Sequence, residues 1–191
     1  MKKLLCTLAV LVLLVGTLVV MSACGGADTT AEATTTAPVT TVPVIEAPIP
    51  DDYTLYDNGD ISFAYPESWA KTDGSTVLLQ DAVTGNNITV VYEAKNPIYA
   101  TLDLDAYNES FKPAFEAMGM TITDAAVAQT ENASGLAITK ISHTATMSGV
   151  TMKQTMYIAT VGTKSYTVTV TEVKADSTLV STVFDTLKEV K

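Results

Sequence analysis

Residues 135–173 read GLAITKISHTATMSGVTMKQTMYIATVGTKSYTVTVTEV. Three runs rich in Val, Ile, Thr and Tyr follow one another here, broken only at Ser148-Gly149 and Gly162-Thr163. Such side chains suit a pleated, half-buried surface, and Gly in a two-residue break supplies the positive φ of a tight hairpin. A similar run at 120–129 precedes them across Asn132-Ala133-Ser134-Gly135. Turns this short join antiparallel neighbours, because parallel neighbours need a crossover of about a dozen residues or more. Strands are therefore predicted at 120–129, 135–147, 150–161 and 164–173, and the flanking segments must cover the sheet they form.

On the C-terminal side, Asp176 is placed to cap a helix whose Leu179, Val180, Val183, Phe184, Leu187 and Val190 make one apolar stripe. On the N-terminal side, Asp103 precedes Leu104, Tyr107, Phe111, Phe115 and Met118, spaced at three and four, with Gly119 as the stop. Pro113 interrupts that helix by removing a bond to the carbonyl of Glu109, so a kink or break is expected. Further upstream, short strands at 53–56 and 61–65 flank Asp57-Asn58-Gly59-Asp60, the second with alternating burial. A hairpin joins 76–81 to 88–93, with Gly85 and Asn86 expected at positive φ. Trp69, the one tryptophan, is read as a core plug. The order strands, helix, four strands, helix specifies an α+β fold, an antiparallel β-sheet covered by helices.

The chain ahead of this domain has a different character. Lys2 and Lys3 precede an apolar run from Leu4 to Val20, the plan of a secretory signal peptide, although the run is long enough for an uncleaved membrane helix to be the alternative. Met21-Ser22-Ala23-Cys24, followed by Gly25-Gly26, resembles the bacterial lipobox, whose cysteine is acylated and becomes the new N-terminus; Met21 departs from the usual Leu but is apolar. Residues 1–23 are thus expected to be a lipoprotein signal peptide and Cys24 the lipid attachment site, carrying a palmitate-type acyl chain. Residues 24–50 follow as a tether dominated by Thr, Ala and Pro, with Pro38, Pro43, Pro48 and Pro50 preventing regular structure. At about 3.1 Å per residue such a segment reaches on the order of 70 Å when taut. A glycosylated Thr stalk is the other reading of the same composition. Residues 51–191 form the single globular domain.

Composition excludes several function classes. The chain has 191 residues with a net charge of −10; without Lys2 and Lys3, nine Lys and no Arg face twenty-one acids, a charge of −12. A surface of that sign repels phosphate backbones, so nucleic acid is not an expected partner. Cys6 and Cys24 both precede the domain, which has neither a disulfide nor a thiol nucleophile available to it.

The stretch Ile61-Ser-Phe-Ala-Tyr65-Pro66-Glu67-Ser68-Trp69 resembles the opening of PsbP-like domains, in which a strand ending in Tyr-Pro leads within a few residues to Trp. The element order is similar too, as is the closing helix around Ser181-Thr182-Val183-Phe184-Asp185-Thr186-Leu187-Lys188. The resemblance implies a three-layer sandwich of antiparallel sheet and helices. It also implies a family of extracytoplasmic accessory and binding proteins rather than enzymes. The photosystem role of the founding members is not carried over, because their N-terminal arm has no counterpart here.

Catalytic candidates are few. His143 is the one histidine, so no His-based metal cluster exists, and it reads as a structural or surface residue whose loss should cost less than about 1 kcal/mol. A carboxylate-dependent wall or glycan hydrolase would need a pair such as Glu93 and Glu109, with two acids about 5–10 Å apart. The acids between Asp51 and Asp60 lack the spacing of a calcium loop and are read as solvated turn residues. Three glycosylation-type triplets, at Asn87, Asn108 and Asn132, are read as incidental. The expectation is a lipid-anchored module on the extracytoplasmic face of the cell membrane. It would have no cofactor and no metal, and would bind an envelope protein or ligand that the sequence does not name.

Overall fold

The computed structural model describes residues 47–190. The leader, Cys24 and the tether up to residue 46 lie outside the described residues. The strands are β1 (Tyr53–Asp57), β2 (Ile61–Pro66), β3 (Ala70–Thr72), β4 (Val77–Gln80), β5 (Asn87–Ala94), β6 (Thr121–Glu131), β7 (Ala137–Met147), β8 (Val150–Val161), β9 (Lys164–Glu172) and β10 (Lys188–Glu189). The helices are α1 (Leu104–Ser110), α2 (Lys112–Ala117) and α3 (Ser177–Thr186), with a 3₁₀ turn at Pro97–Thr101.

Seven strands form one antiparallel sheet in the order β3-β4-β5-β9-β8-β7-β6, and β1-β2-β10 form a second, smaller one. The four long strands predicted from the sequence are β6 to β9. Their registers place alternate side chains on opposite faces, and each face carries its own core. One face holds Ile88, Val90, Ile138, Tyr157, Tyr166 and Val168, buried together with Phe63 of β2 and with Leu179 and Val183 of α3. The other holds Ile122, Ile141, Ala145, Met152 and Met156, buried with Tyr99, Tyr107 and Phe115 from the 3₁₀ turn, α1 and α2. The result is an α+β fold with an antiparallel sheet covered by helices, as the pattern predicts, in the three layers that the resemblance implies.

Local chemistry sets most element ends. Asp103 and Asp176 accept hydrogen bonds from the N–H groups of Ala106 and Leu179, the caps expected of them. The helix containing Pro113 breaks at Phe111 into α1 and α2, with the proline in the first turn of α2 where its missing N–H costs nothing. Gly119 ends α2 at φ +81°, a value that a side chain would resist.

Three expectations need correction. β2 does not alternate: Ile61 to Tyr65 are all buried, because the strand is central in its sheet and α3 lies along it, the Ala64 N–H donating to Thr186 Oγ1 at 2.9 Å. The last helix stops at Thr186; beyond the Leu187 cap the chain extends as β10 and pairs with Ser62 and Ile61 of β2. Asn86 does not take positive φ, which falls to Gly85 alone in that loop. Its side chain instead accepts from the N–H groups of Val173 and Lys174 and donates to the Lys174 carbonyl, tying the loop to the end of β9.

Asn132 plays the same part at the other end of α3. Its amide donates to the carbonyls of Phe184 and Leu187, while its Oδ1 accepts from the N–H groups of Ser134 and Leu136. Carbonyls at a helix C-terminus lack intrahelical partners, and here a distant turn supplies them. Asn132 and Asn87 are both buried, so two of the three triplets are closed to modification in the folded domain, whereas Asn108 is exposed on α1.

Candidate functional site

A groove of about 440 Å³ lies where α3 crosses the large sheet. Its floor is made by Lys140 of β7, Lys153 and Tyr157 of β8, and Glu172 of β9; its wall is Ser177, Val180, Ser181 and Phe184. Register explains the floor. Lys140 pairs with Tyr157 across β7 and β8, and Lys153 pairs with Glu172 across β8 and β9, so the four side chains share one face. Tyr157 Oη donates to the Val180 carbonyl at 2.9 Å, fixing the ring beneath the helix. Burial, with help from Asp185 and Glu172, raises the Tyr157 phenol so that it stays a neutral donor. Lys140 Nζ rests 6.0 Å from the centroid of Tyr157 and 5.6 Å from that of Phe184. Glu172 accepts from the Asp176 N–H at 2.7 Å, at the opposite end of the groove.

On the other face of the sheet a polar chain runs through the core. Tyr107 Oη lies 3.0 Å from His143 Nδ1, His143 Nε2 lies 2.9 Å from Gln154 Oε1, and Gln154 Nε2 donates to Thr171 Oγ1 at 3.2 Å. Because the Gln154 amide nitrogen is committed to Thr171, its oxygen accepts from His143 Nε2–H, and the bare Nδ1 accepts the Tyr107 proton. His143 is 3 % exposed and also meets the Phe115 ring at 5.3 Å between centroids. Of the two readings, structural or surface, His143 is the structural one, a core histidine whose burial favours the neutral form and not a strand position that can be changed at little cost.

Burial lowers the His143 pKa, opposed by the bond to Gln154. Below about pH 6.5 the unfolded chain takes up a proton at His143 that the native state still refuses. Stability is therefore intact above that pH and falls as pH drops toward the lower native pKa, by at most about 1.4 kcal/mol per unit. Denaturant titrations between pH 6.5 and 5.5 should show this slope in the wild type and a flatter one in His143→Gln. An identical slope in both proteins is the contrary result.

A third cluster joins the two sheets. Lys164 Nζ donates to Asp60 Oδ2 at 2.7 Å and Tyr166 Oη donates to the same oxygen. Both hydrogen bonds hold the Asp60 carboxyl below the usual carboxylate range. Asp57 accepts from the Gly59 N–H within the β1-β2 turn. These acids thus serve as a turn cap and an inter-sheet tie. Among the described residues no group of three or more His, Cys, Asp or Glu converges as a metal site would require. Glu93 accepts from Tyr99 Oη at 2.6 Å and Glu109 stands exposed on α1; neither lines the groove, whose one carboxylate is Glu172.

No protein-family profile matches the chain, and no curated protein matches it. Among solved structures, cyanobacterial PsbP (CyanoP) from Synechocystis sp. PCC 6803 superposes with a TM-score of 0.55 at 14 % identity, over 72 % of this chain and 92 % of its own. The described domain has a PsbP-like fold. A protein from Bacteroides thetaiotaomicron gives a TM-score of 0.46 at 14 % identity, over 69 % of this chain and 45 % of its own. LpqN of Mycobacterium tuberculosis, involved in cell envelope biogenesis, gives 0.39 at 15 % identity, over 73 % and 91 %. In this PsbP-like domain the Tyr65-Pro66 to Trp69 stretch is the end of β2 and a tight turn, closed by the Trp69 N–H on the Pro66 carbonyl. Trp69 itself is buried in the first core. The groove was not anticipated, although the polar alternation Lys140, Ser142, Thr144 marked one face of β7 as something other than apolar core.

Proposed function

We propose that this chain is a lipoprotein anchored through Cys24 to the extracytoplasmic face of the cell membrane, and that its PsbP-like domain is a binding or accessory module. The reading rests chiefly on the groove beside α3. It offers two ammonium groups, one carboxylate, hydroxyls and aromatic rings, and it lacks the second converging acid that glycoside hydrolysis requires. The resemblance to PsbP-like domains favours the same role. No helix among the described residues is long and apolar enough to cross a membrane, so within them the anchor reading depends on no spanning segment. The partner is an envelope component that meets the domain at this face.

Two experiments test the reading. A photocrosslinking residue in place of Ser181, on the groove wall, should capture a specific adduct in native cells, whereas one at Val83, exposed at the tip of the β4-β5 loop, should not. Equal or absent capture at both positions counts against the groove. Separately, Cys24→Ala should abolish processing at the leader and move the domain out of the membrane fraction. Mass spectrometry showing an unacylated Cys24 in the membrane-bound wild type would defeat the anchor assignment.

A further inference from the structure

The chemistry of the groove narrows what it holds. Its floor consists of strands β7, β8 and β9, all interior to the large sheet, so no free backbone edge is offered and an extended peptide gains no main-chain pairing there. An extended acidic peptide would therefore have to bind by its side chains alone, and an apolar one meets lysines and serines. What remains is a ligand with an apolar flat side and hydroxyls that both donate and accept. The ring of Phe184, the hydroxyls of Ser177 and Ser181, the ammonium of Lys153 and the carboxylate of Glu172 are complementary to it. Small-molecule sites span about 300–1,000 Å³, and this groove is of that size.

Charge is distributed unequally along the groove. Neither groove lysine has a carboxylate within ion-pair distance among the described residues, but Lys153 stands opposite Glu172 in the register of β8 and β9, whereas Lys140 stands opposite Tyr157 and lies against two aromatic rings. A cation over an aromatic ring is held less strongly than one in contact with an anion, so a ligand anion can draw Lys140 away from the rings.

Building on the binding-module reading, we propose that the groove holds a sugar ring bearing an acidic group, part of an extracytoplasmic acidic glycan, with the acid at Lys140 and the ring hydroxyls at Lys153, Glu172 and Ser181.

Calorimetric titration of the full-length chain in detergent with trigalacturonate, cellotriose and a tetraglutamate peptide tests this. Trigalacturonate should bind at least tenfold more tightly than cellotriose, and tetraglutamate should not bind. Lys140→Met, which keeps the aliphatic stem, should bring the two saccharides to within about threefold of each other. Ser181→Trp, which fills the groove from an exposed position, should remove saccharide binding without altering the unfolding midpoint. Tighter binding of tetraglutamate, a saccharide preference that survives Lys140→Met, or saccharide binding unaffected by Ser181→Trp would each overturn the proposal. If no saccharide binds while the residue at Ser181 still crosslinks a protein in cells, the sugar assignment fails and the binding module stands. If neither occurs, the groove itself is not the site.

Discussion

His143→Ala is expected to destabilise the domain by about 3–5 kcal/mol, several times the cost of an ordinary strand substitution. The change leaves Tyr107 Oη and Gln154 Oε1 without the partner each now has inside the core. A buried polar group left unpaired costs about 1–3 kcal/mol, and the lost imidazole contacts with Phe115 add a cavity. The decisive comparison is a triple replacement, Tyr107→Phe with His143→Leu and Gln154→Met, in which no partner is left stranded. That protein should recover most of the loss, because removing a whole buried network in favour of apolar groups of similar shape can be nearly neutral. Equilibrium denaturant unfolding of the three proteins measures both numbers. A single mutant within about 1 kcal/mol of wild type would show that the chain of hydrogen bonds carries no stability.

Trp69→Ala should cost a similar amount, about 3–5 kcal/mol, for a different reason. The ring is 9 % exposed and lies in the core shared by β2, the large sheet and α3, so its removal opens a void between layers. Trp69→Phe, which keeps an aromatic ring in the same place, should lose much less. If both substitutions cost the same, the ring is not filling the core.

The contrast between these two residues shows what the sequence could reveal. Trp69 announces its role through size and apolarity, and the Tyr-Pro-to-Trp spacing placed it at the end of a strand. The long strands, both Asp caps and the break at Pro113 were legible for a similar reason: each depends on residues within a few positions of one another. His143 was left between a structural and a surface role, and its cost was set too low, because its neighbours Ser142 and Thr144 face the opposite side of the sheet. What buries it comes from Tyr107, 36 positions away, and from Gln154 on the next strand. Asn86 and Asn132 looked like turn formers and are also long-range ties, each satisfying backbone groups more than 50 positions distant. β3 and β10, three and two residues long, exist only by virtue of the strands they pair with. The groove combines β7, β8, β9 and α3, and no local pattern joins them.

The pairing of β10 with β2 bears on when the protein can fold. The Ala64 N–H bonds to Thr186 across 122 positions, and the Val190 N–H bonds to the Asp60 carbonyl. The first hairpin of the domain is thus closed by its last dozen residues, and α3, which seals one core, is also made at the end. A chain emerging from the ribosome has nothing to complete that layer with until residues 177–190 have been made, and non-local closure of this kind is slow. The nascent polypeptide therefore stays open during its elongation.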